Sequence, residues 1–141
     1  MAVNDVVWYL QDHIIYVKQT GIVDYTILHQ RSQRIIEMVN QSSAMTIHTL
    51  VDSQDVTSSP FDLETVYRQL GSYAHSPKIG ITVYLGKYNR IRKLAIVMFY
   101  KLVNSQLEFA DTIEDALVLL MERDAVLQPL LQNYQPTTLL D

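Results

Sequence analysis

The sequence predicts a single α/β domain in which helices cover a five-stranded, mostly parallel sheet. Short runs rich in β-branched and aromatic residues alternate with segments whose apolar residues recur at helical spacing. The predicted order of elements is ββαβαβαβα. Strands that alternate with helices pair in parallel through right-handed crossovers, so only the N-terminal hairpin is expected to be antiparallel.

The first two strands and the first helix are predicted from residues 6 to 41. The runs VVWYL (6–10) and IIYVKQTGIV (14–23) flank a short polar turn, which is typical of a hairpin. Asp24 is the expected N-cap of the helix that follows. Apolar residues fall on one face of that helix, and Arg31 is predicted on the opposite, polar face.

The middle of the chain predicts a strand, a helix and a second strand. MTIHTLV (45–51) and KIGITVYLG (78–86) are the strands. Between them, Gly71 is placed to end a helix. The apolar stripe of that helix consists of Leu63, Val66, Tyr67 and Leu70.

The last third predicts a helix at 89–105, a strand at 106–110 and a final helix that starts with a capping box at Asp111 and Glu114. The helix at 89–105 is apolar nearly all round, so we expect it to be buried on both sides, covered by the tail or part of an interface. A homodimer is one form that such an interface would take. The domain is expected to span 1–128, followed by a C-terminal tail at 129–141.

Composition excludes several classes of function. A formal charge of −4 argues against a nucleic-acid partner, because phosphate neutralisation needs a basic surface. The absence of cysteine removes disulfide scaffolds, thiolate metal sites and cysteine nucleophiles. No run is long and apolar enough for a membrane span, and the N-terminus lacks the pattern of a signal peptide. A cytoplasmic location is therefore expected.

The stretch VDSQDVTSSPFDLE (51–64) contains the candidate switch. Ser59 as N-cap, Pro60 at the first helical position and Asp62 at the third form a favourable helix start. Ser58, one position earlier, is not needed for capping and is freer to point outward. A phosphate there would face the positive end of the helix, whereas the nearby Asp55 and Asp62 would repel it.

A basic segment, KYNRIRK at 87–93, follows the strand at 78–86. Since the carboxyl ends of parallel strands lie at one edge of a sheet, we expect this segment to share a rim with the hydroxyl-rich stretch. The predicted role is recognition of an anion or an acidic partner surface. The residues expected to make these contacts are Lys87, Arg90 and Arg92.

No catalytic or metal-binding residue is predicted. The aspartates at 52, 55 and 62 lack the D-x-D-x-D-G pattern of a calcium loop, and the four histidines lack metal-ligand spacing. The sequence has no G-x-S-x-G elbow and no glycine-rich phosphate loop. We therefore expect a protein that is not an enzyme and needs no cofactor.

Four stretches of the chain are similar to those of a known family: TGIVDYT, LVDSQDV, IGITVYLGKYNRIRKLAIVMF and FADTIEDALVLL. Together with the order of elements over residues 6 to 126, they resemble the STAS domain, especially the small SpoIIAA-like anti-sigma factor antagonists of bacteria. The resemblance implies a regulatory protein whose serine, at the start of the second helix, is phosphorylated by a partner kinase. Thr57-Ser58-Ser59-Pro60 stands where the family typically has D-S-S-G. The resemblance therefore makes Ser58 the candidate phosphoacceptor.

Two functional hypotheses follow. The first is a non-enzymatic regulatory module that binds a protein partner, such as an anti-sigma-type kinase, and is controlled by serine phosphorylation. Its predicted binding loop comprises Asp52, Ser53, Asp55, Thr57 and Ser59. The alternative is a small-ligand or lipid-binding domain with an apolar pocket between the sheet and the helix at 89–105, lined by aromatic residues such as Tyr84 and Tyr100.

Overall fold

The computed structural model describes residues 6–58 and 76–132, and these ranges contain a five-stranded sheet. The first two strands pair antiparallel and all further pairs are parallel, which confirms the predicted α/β fold class. The strands lie side by side in chain order: β1 (Val6–Leu10), β2 (Ile14–Ile22), β3 (Ile47–Ser58), β4 (Ile79–Leu85) and β5 (Leu107–Ala110).

Four helices are present in the described ranges: α1 (Tyr25–Gln41), α2 (Arg90–Leu102), α3 (Ile113–Arg123) and α4 (Leu127–Gln132). The helix predicted around 63–70 lies outside the described residues, as does most of the predicted tail. α4 continues to Gln132, so the first residues assigned to that tail are helical.

The helices form two layers on opposite faces of the sheet. Because alternate strand residues point to opposite faces, Ile14 and Leu50 pack with α3 and α4, whereas their neighbours Ile15 and Val51 pack with α1. Right-handed crossovers between successive parallel strands place α1 and α2 on the same face. Tyr84 of β4 contacts the apolar clusters under both helices.

The helices are capped at or next to the residues predicted from the sequence. The carboxylate of Asp24 accepts a hydrogen bond from the amide of Ile27 at 2.9 Å, which confirms the predicted cap of α1. α3 differs by one residue: the hydroxyl of Thr112, rather than a side chain at Asp111, accepts from the amide of Asp115 at 3.1 Å. The prediction for Arg31 is wrong, because this side chain is buried on the packed face of α1.

α2 is not buried on both sides, which was one of the arrangements expected. It packs against the sheet through Phe99, Tyr100 and Val103, whereas Leu94 and Met98 on its other side are exposed. The reason is that both sides of the helix are apolar, and the aromatic side has an aromatic neighbour in Tyr84 on the sheet.

β3 is longer than predicted. Residues 52–58 were expected to form a loop, but they continue the parallel pairing with β2, where Asp52 lies opposite Lys18 and Ser58 opposite Ile22. On its other edge β3 pairs with β4 only as far as Asp52, opposite Leu85. The last residues of β3 therefore extend past the end of β4.

Candidate functional site

A groove lies where the end of β3 extends beyond β4. Its volume is about 470 Å³, and it is open to solvent. One wall is the end of β3 and the other is the connection from β4 into α2. We call this the rim groove; its lining residues are Gln54, Val56, Thr57, Ser58, Lys87, Tyr88, Asn89, Ile91 and Arg92.

The rim groove brings together residues that the sequence placed in two separate motifs. Thr57 and Ser58 are exposed and lie in the same groove as Lys87 and Arg92. Arg90 is exposed but is not part of the lining. Ser59, the fifth residue of the predicted binding loop, lies outside the described residues.

The backbone of Ser58 is fixed although its side chain is exposed. Its carbonyl oxygen accepts a hydrogen bond from the amide of Val23 at 2.9 Å, directly after β2. The residue is therefore held at a defined position at the carboxyl end of β3. A side chain held in this way is accessible to a partner or an enzyme without local unfolding.

Tyr88 joins the two walls of the rim groove. Its hydroxyl donates to the carbonyl of Leu85 at 2.7 Å and accepts from the amide of Ser53 at 3.2 Å. The hydroxyl of Ser53 lies 3.4 Å from the same oxygen. Ser53 was predicted as a partner contact, but its side chain is only 1% exposed. It therefore positions the groove and cannot touch a partner.

The amino end of α2 is strongly cationic. The side chain of Asn89 caps the helix by accepting from the amide of Arg92 at 2.8 Å, and the first turn contains no acidic residue. The guanidinium of Arg92 lies 5.1 Å from the ring centre of Tyr88, and the ammonium of Lys93 lies 4.7 Å from that of Phe109. These cation–π contacts hold positive charge beside the positive end of the helix dipole.

The aspartates of β3 are paired with a lysine that the sequence analysis missed. The ammonium of Lys18 lies 3.0 Å from Asp52 and 3.1 Å from Asp55. Burial alone would lower the pKa of Lys18, but its hydrogen bonds with the two carboxylates, and their charges, raise that pKa above 10.5. Both aspartates are thus engaged by a cation on β2, which lowers their availability to a partner.

The side chain of Gln54 connects this ion pair to the backbone of Lys87. The carboxylate of Asp52 accepts from the side-chain amide of Gln54 at 3.3 Å, and the carbonyl oxygen of that side chain accepts from the amide of Lys87 at 3.4 Å. Gly86 has a φ of +98°, and a Cβ there would collide with Gln54. The positive φ favours glycine at this position.

His48 is a second residue whose role is visible only in three dimensions. It is buried, its Nε2 lies 2.8 Å from a carboxylate oxygen of Asp124, and its Nδ1 accepts from the amide of Ile81 at 3.0 Å. Since both ring nitrogens are occupied, the ring has no nitrogen left for catalysis or for a metal. Gly80 is required beside it, because a Cβ there would lie 2.6 Å from the ring.

The aromatic residues proposed to line a ligand pocket pack against one another. Tyr84 makes ring contacts with Tyr88, Tyr100 and Phe109 at centroid distances of 6.0, 5.9 and 6.1 Å. These contacts occupy the space between β4 and α2 and give the lipid-binding alternative no support.

Among the described residues no histidine, aspartate and glutamate side chains cluster in a way that could hold a metal ion. None of the helices in residues 6–58 and 76–132 is long and apolar enough to cross a bilayer.

The fold and the rim groove define an α/β protein with an open groove of hydroxyl and cationic side chains at the carboxyl edge of its sheet. Neither the protein-family models nor the curated proteins contain a match to the sequence. Solved structures do match. One is an uncharacterised protein of the DUF3478 family from Shewanella loihica PV-4 with a SpoIIAA-like fold: the TM-score is 0.57 at 15% identity, over 76% of this chain and 83% of that one.

The second similar structure is the anti-sigma factor antagonist SpoIIAA in its unphosphorylated form. The TM-score is 0.51 at 15% identity, and the match covers 83% of this chain and 96% of that one. These likenesses confirm the predicted STAS or SpoIIAA-like fold. At this level of identity they establish the fold and not the function.

Proposed function

We propose that this protein is a non-enzymatic regulatory module that binds a protein partner through the rim groove and is controlled by phosphorylation of Ser58. The supporting observation is that an exposed serine hydroxyl shares one open groove with Lys87 and Arg92. The similarity in fold to an anti-sigma factor antagonist is consistent with such a role.

The cations in the rim groove provide a way for a phosphate on Ser58 to alter partner binding. Lys87 and Arg92 are suited to bind an acidic side chain of the partner, because charge complementarity guides association and fixes orientation. A phosphate on Ser58 would compete for the same two cations and would add negative charge to the docking surface. Phosphorylation therefore lowers affinity for the partner in this proposal.

The test is partner capture from the native lysate by wild-type protein and by Ser58→Asp and Ser58→Ala variants. Ser43→Asp is the matched control, since Ser43 is an exposed serine after α1 and is not part of the groove lining. We expect Ser58→Asp to reduce capture of a discrete protein, and Ser58→Ala and Ser43→Asp to retain it. Equal capture by all four proteins would contradict control through Ser58.

Mass spectrometry of the protein isolated from its own cells tests the modification itself. A phosphate on Ser58 is the expected result. If the protein carries no phosphate under any growth condition, the switch is refuted, although binding through the groove would still stand.

A further inference from the structure

An apolar stripe runs along the exposed side of α2. Ile91, Leu94, Met98 and Leu102 recur at helical spacing and are 78, 59, 47 and 54% exposed. The first and the last are eleven positions apart, a rise of about 16 Å along the helix. Aligned exposed side chains of this size are typical of a binding surface, whereas single exposed apolar residues need no explanation.

The charged residues of α2, and of the segment that leads into it, all have one sign. Between residues 87 and 102 the charged side chains are Lys87, Arg90, Arg92, Lys93 and Lys101, with no aspartate or glutamate. The chain as a whole has a formal charge of −4. This concentration of cations is therefore a local property of α2 and of the segment that leads into it.

The apolar stripe is continuous with the rim groove. Ile91 lines the groove and is also the first residue of the stripe. A partner seated in the groove next to Lys87 would therefore meet the stripe as it extends along α2. One ligand of suitable length can contact both surfaces.

We propose that the apolar stripe binds an acidic amphipathic helix of the partner protein, an inference that rests on the proposed function. The apolar face of that helix packs on Leu94 and Met98. Its carboxylates face the cations at the two ends of α2, Arg90 and Lys101. Docking of an amphipathic helix by apolar anchors at helical spacing is a common mode of peptide recognition.

The observations favour this occupant over two others. A second copy of α2 would oppose cations with cations, which disfavours self-association through this face. A helix that lies on an anionic membrane usually presents aromatic residues as well as leucines to the lipid. Here Phe99 and Tyr100 face the sheet, and Arg92 and Lys93 contact aromatic rings of the protein itself.

The experiment uses a fluorescent synthetic peptide of about sixteen residues, with leucines at the spacing of the stripe and glutamates at most other positions. A second peptide of the same composition has its leucines scrambled. Binding to wild-type protein, Leu94→Glu and Met98→Glu is measured by anisotropy. Val118→Glu is the matched control, because Val118 is an apolar residue on α3 with similar exposure, 52%.

We expect the amphipathic peptide to bind wild type and Val118→Glu equally, and each stripe variant about tenfold or more weakly, as for loss of an interface anchor. Equal binding of the scrambled peptide, or no binding to wild type, would overturn the proposal. So would binding of wild type to vesicles of anionic phospholipid but not to the peptide, or a dimer in solution that Leu94→Glu dissociates.

Thermal unfolding of the same variants tests whether the chain covers the stripe itself. We expect Leu94→Glu and Met98→Glu to melt with the wild type. A large loss of stability in both would mean that the stripe is packed inside the domain, which would also overturn the proposal. Native partner capture that depends on Lys87 but not on Leu94 would refute the stripe and leave the proposed function intact.

Discussion

Replacing Tyr88 with phenylalanine removes one oxygen atom from the junction between β3 and α2. The hydroxyl accepts from the buried amide of Ser53 and donates to the carbonyl of Leu85. An unsatisfied buried amide costs about 1–3 kcal/mol, and the bond to the carbonyl contributes about 1 kcal/mol. The ring packing is unchanged, so we expect a loss of about 2–4 kcal/mol in the free energy of unfolding.

Urea unfolding followed by circular dichroism measures this loss, and Ser53→Ala is the matched control. That variant deletes only a hydroxyl 3.4 Å from the tyrosine oxygen and keeps the hydrogen bond from the backbone amide of residue 53 to Tyr88. Its loss in the free energy of unfolding should therefore be less than about 1 kcal/mol. Since the two residues share one contact, the double variant should lose less than the sum of the single losses. Equal losses in Tyr88→Phe and Ser53→Ala would refute the role assigned to the tyrosine hydroxyl.

Three further changes test other parts of the structure. Lys18→Met should cost about 1 kcal/mol at neutral pH. Because the pKa of Lys18 is raised in the folded state, its contribution to stability is complete below pH 10.5 and is lost as the pH rises through the folded pKa. Urea unfolding of wild type and Lys18→Met across that range should therefore show the stability difference shrink. A stability difference that persists at high pH would exclude the ion pair as its cause. Thr112→Ala should lower the melting temperature through a loss of about 1 kcal/mol, while Asp111→Ala should have little effect, and the reverse order would favour the cap predicted from sequence. Gly86→Ala should destabilise by about 1–3 kcal/mol, more than Gly21→Ala in the same denaturation assay. Both glycines have positive φ, but only at Gly86 would the added Cβ crowd a neighbouring glutamine. Equal losses would show that backbone strain alone matters.

Local patterns were sufficient to predict most of the fold. β-Branched runs located the strands, and Asp24 marked the start of α1 correctly. Local patterns failed where two choices were almost equally apolar. Hydropathy could not decide which side of α2 faces the sheet, because that choice depends on Tyr84, which lies on a different element.

The end of β3 was misjudged for a related reason. Its polar residues read as a loop, but Asp52 and Asp55 are stabilised in a strand by Lys18, which is 34 and 37 positions away in sequence. The contact between Ser53 and Tyr88 spans 35 positions. Pairings at such distances leave no local signal, so the sequence indicated the two walls of the rim groove without the contacts that hold them in place.

The most direct test of binding at the rim groove is site-specific photo-crosslinking in the native cells. A photoreactive amino acid is placed at Thr57, which is exposed in the groove, and at Glu37, which is exposed on α1 and is not part of the lining. The proposal predicts one discrete protein adduct from position 57 and none from position 37. No adduct at position 57, or the same adducts at both positions, would contradict it.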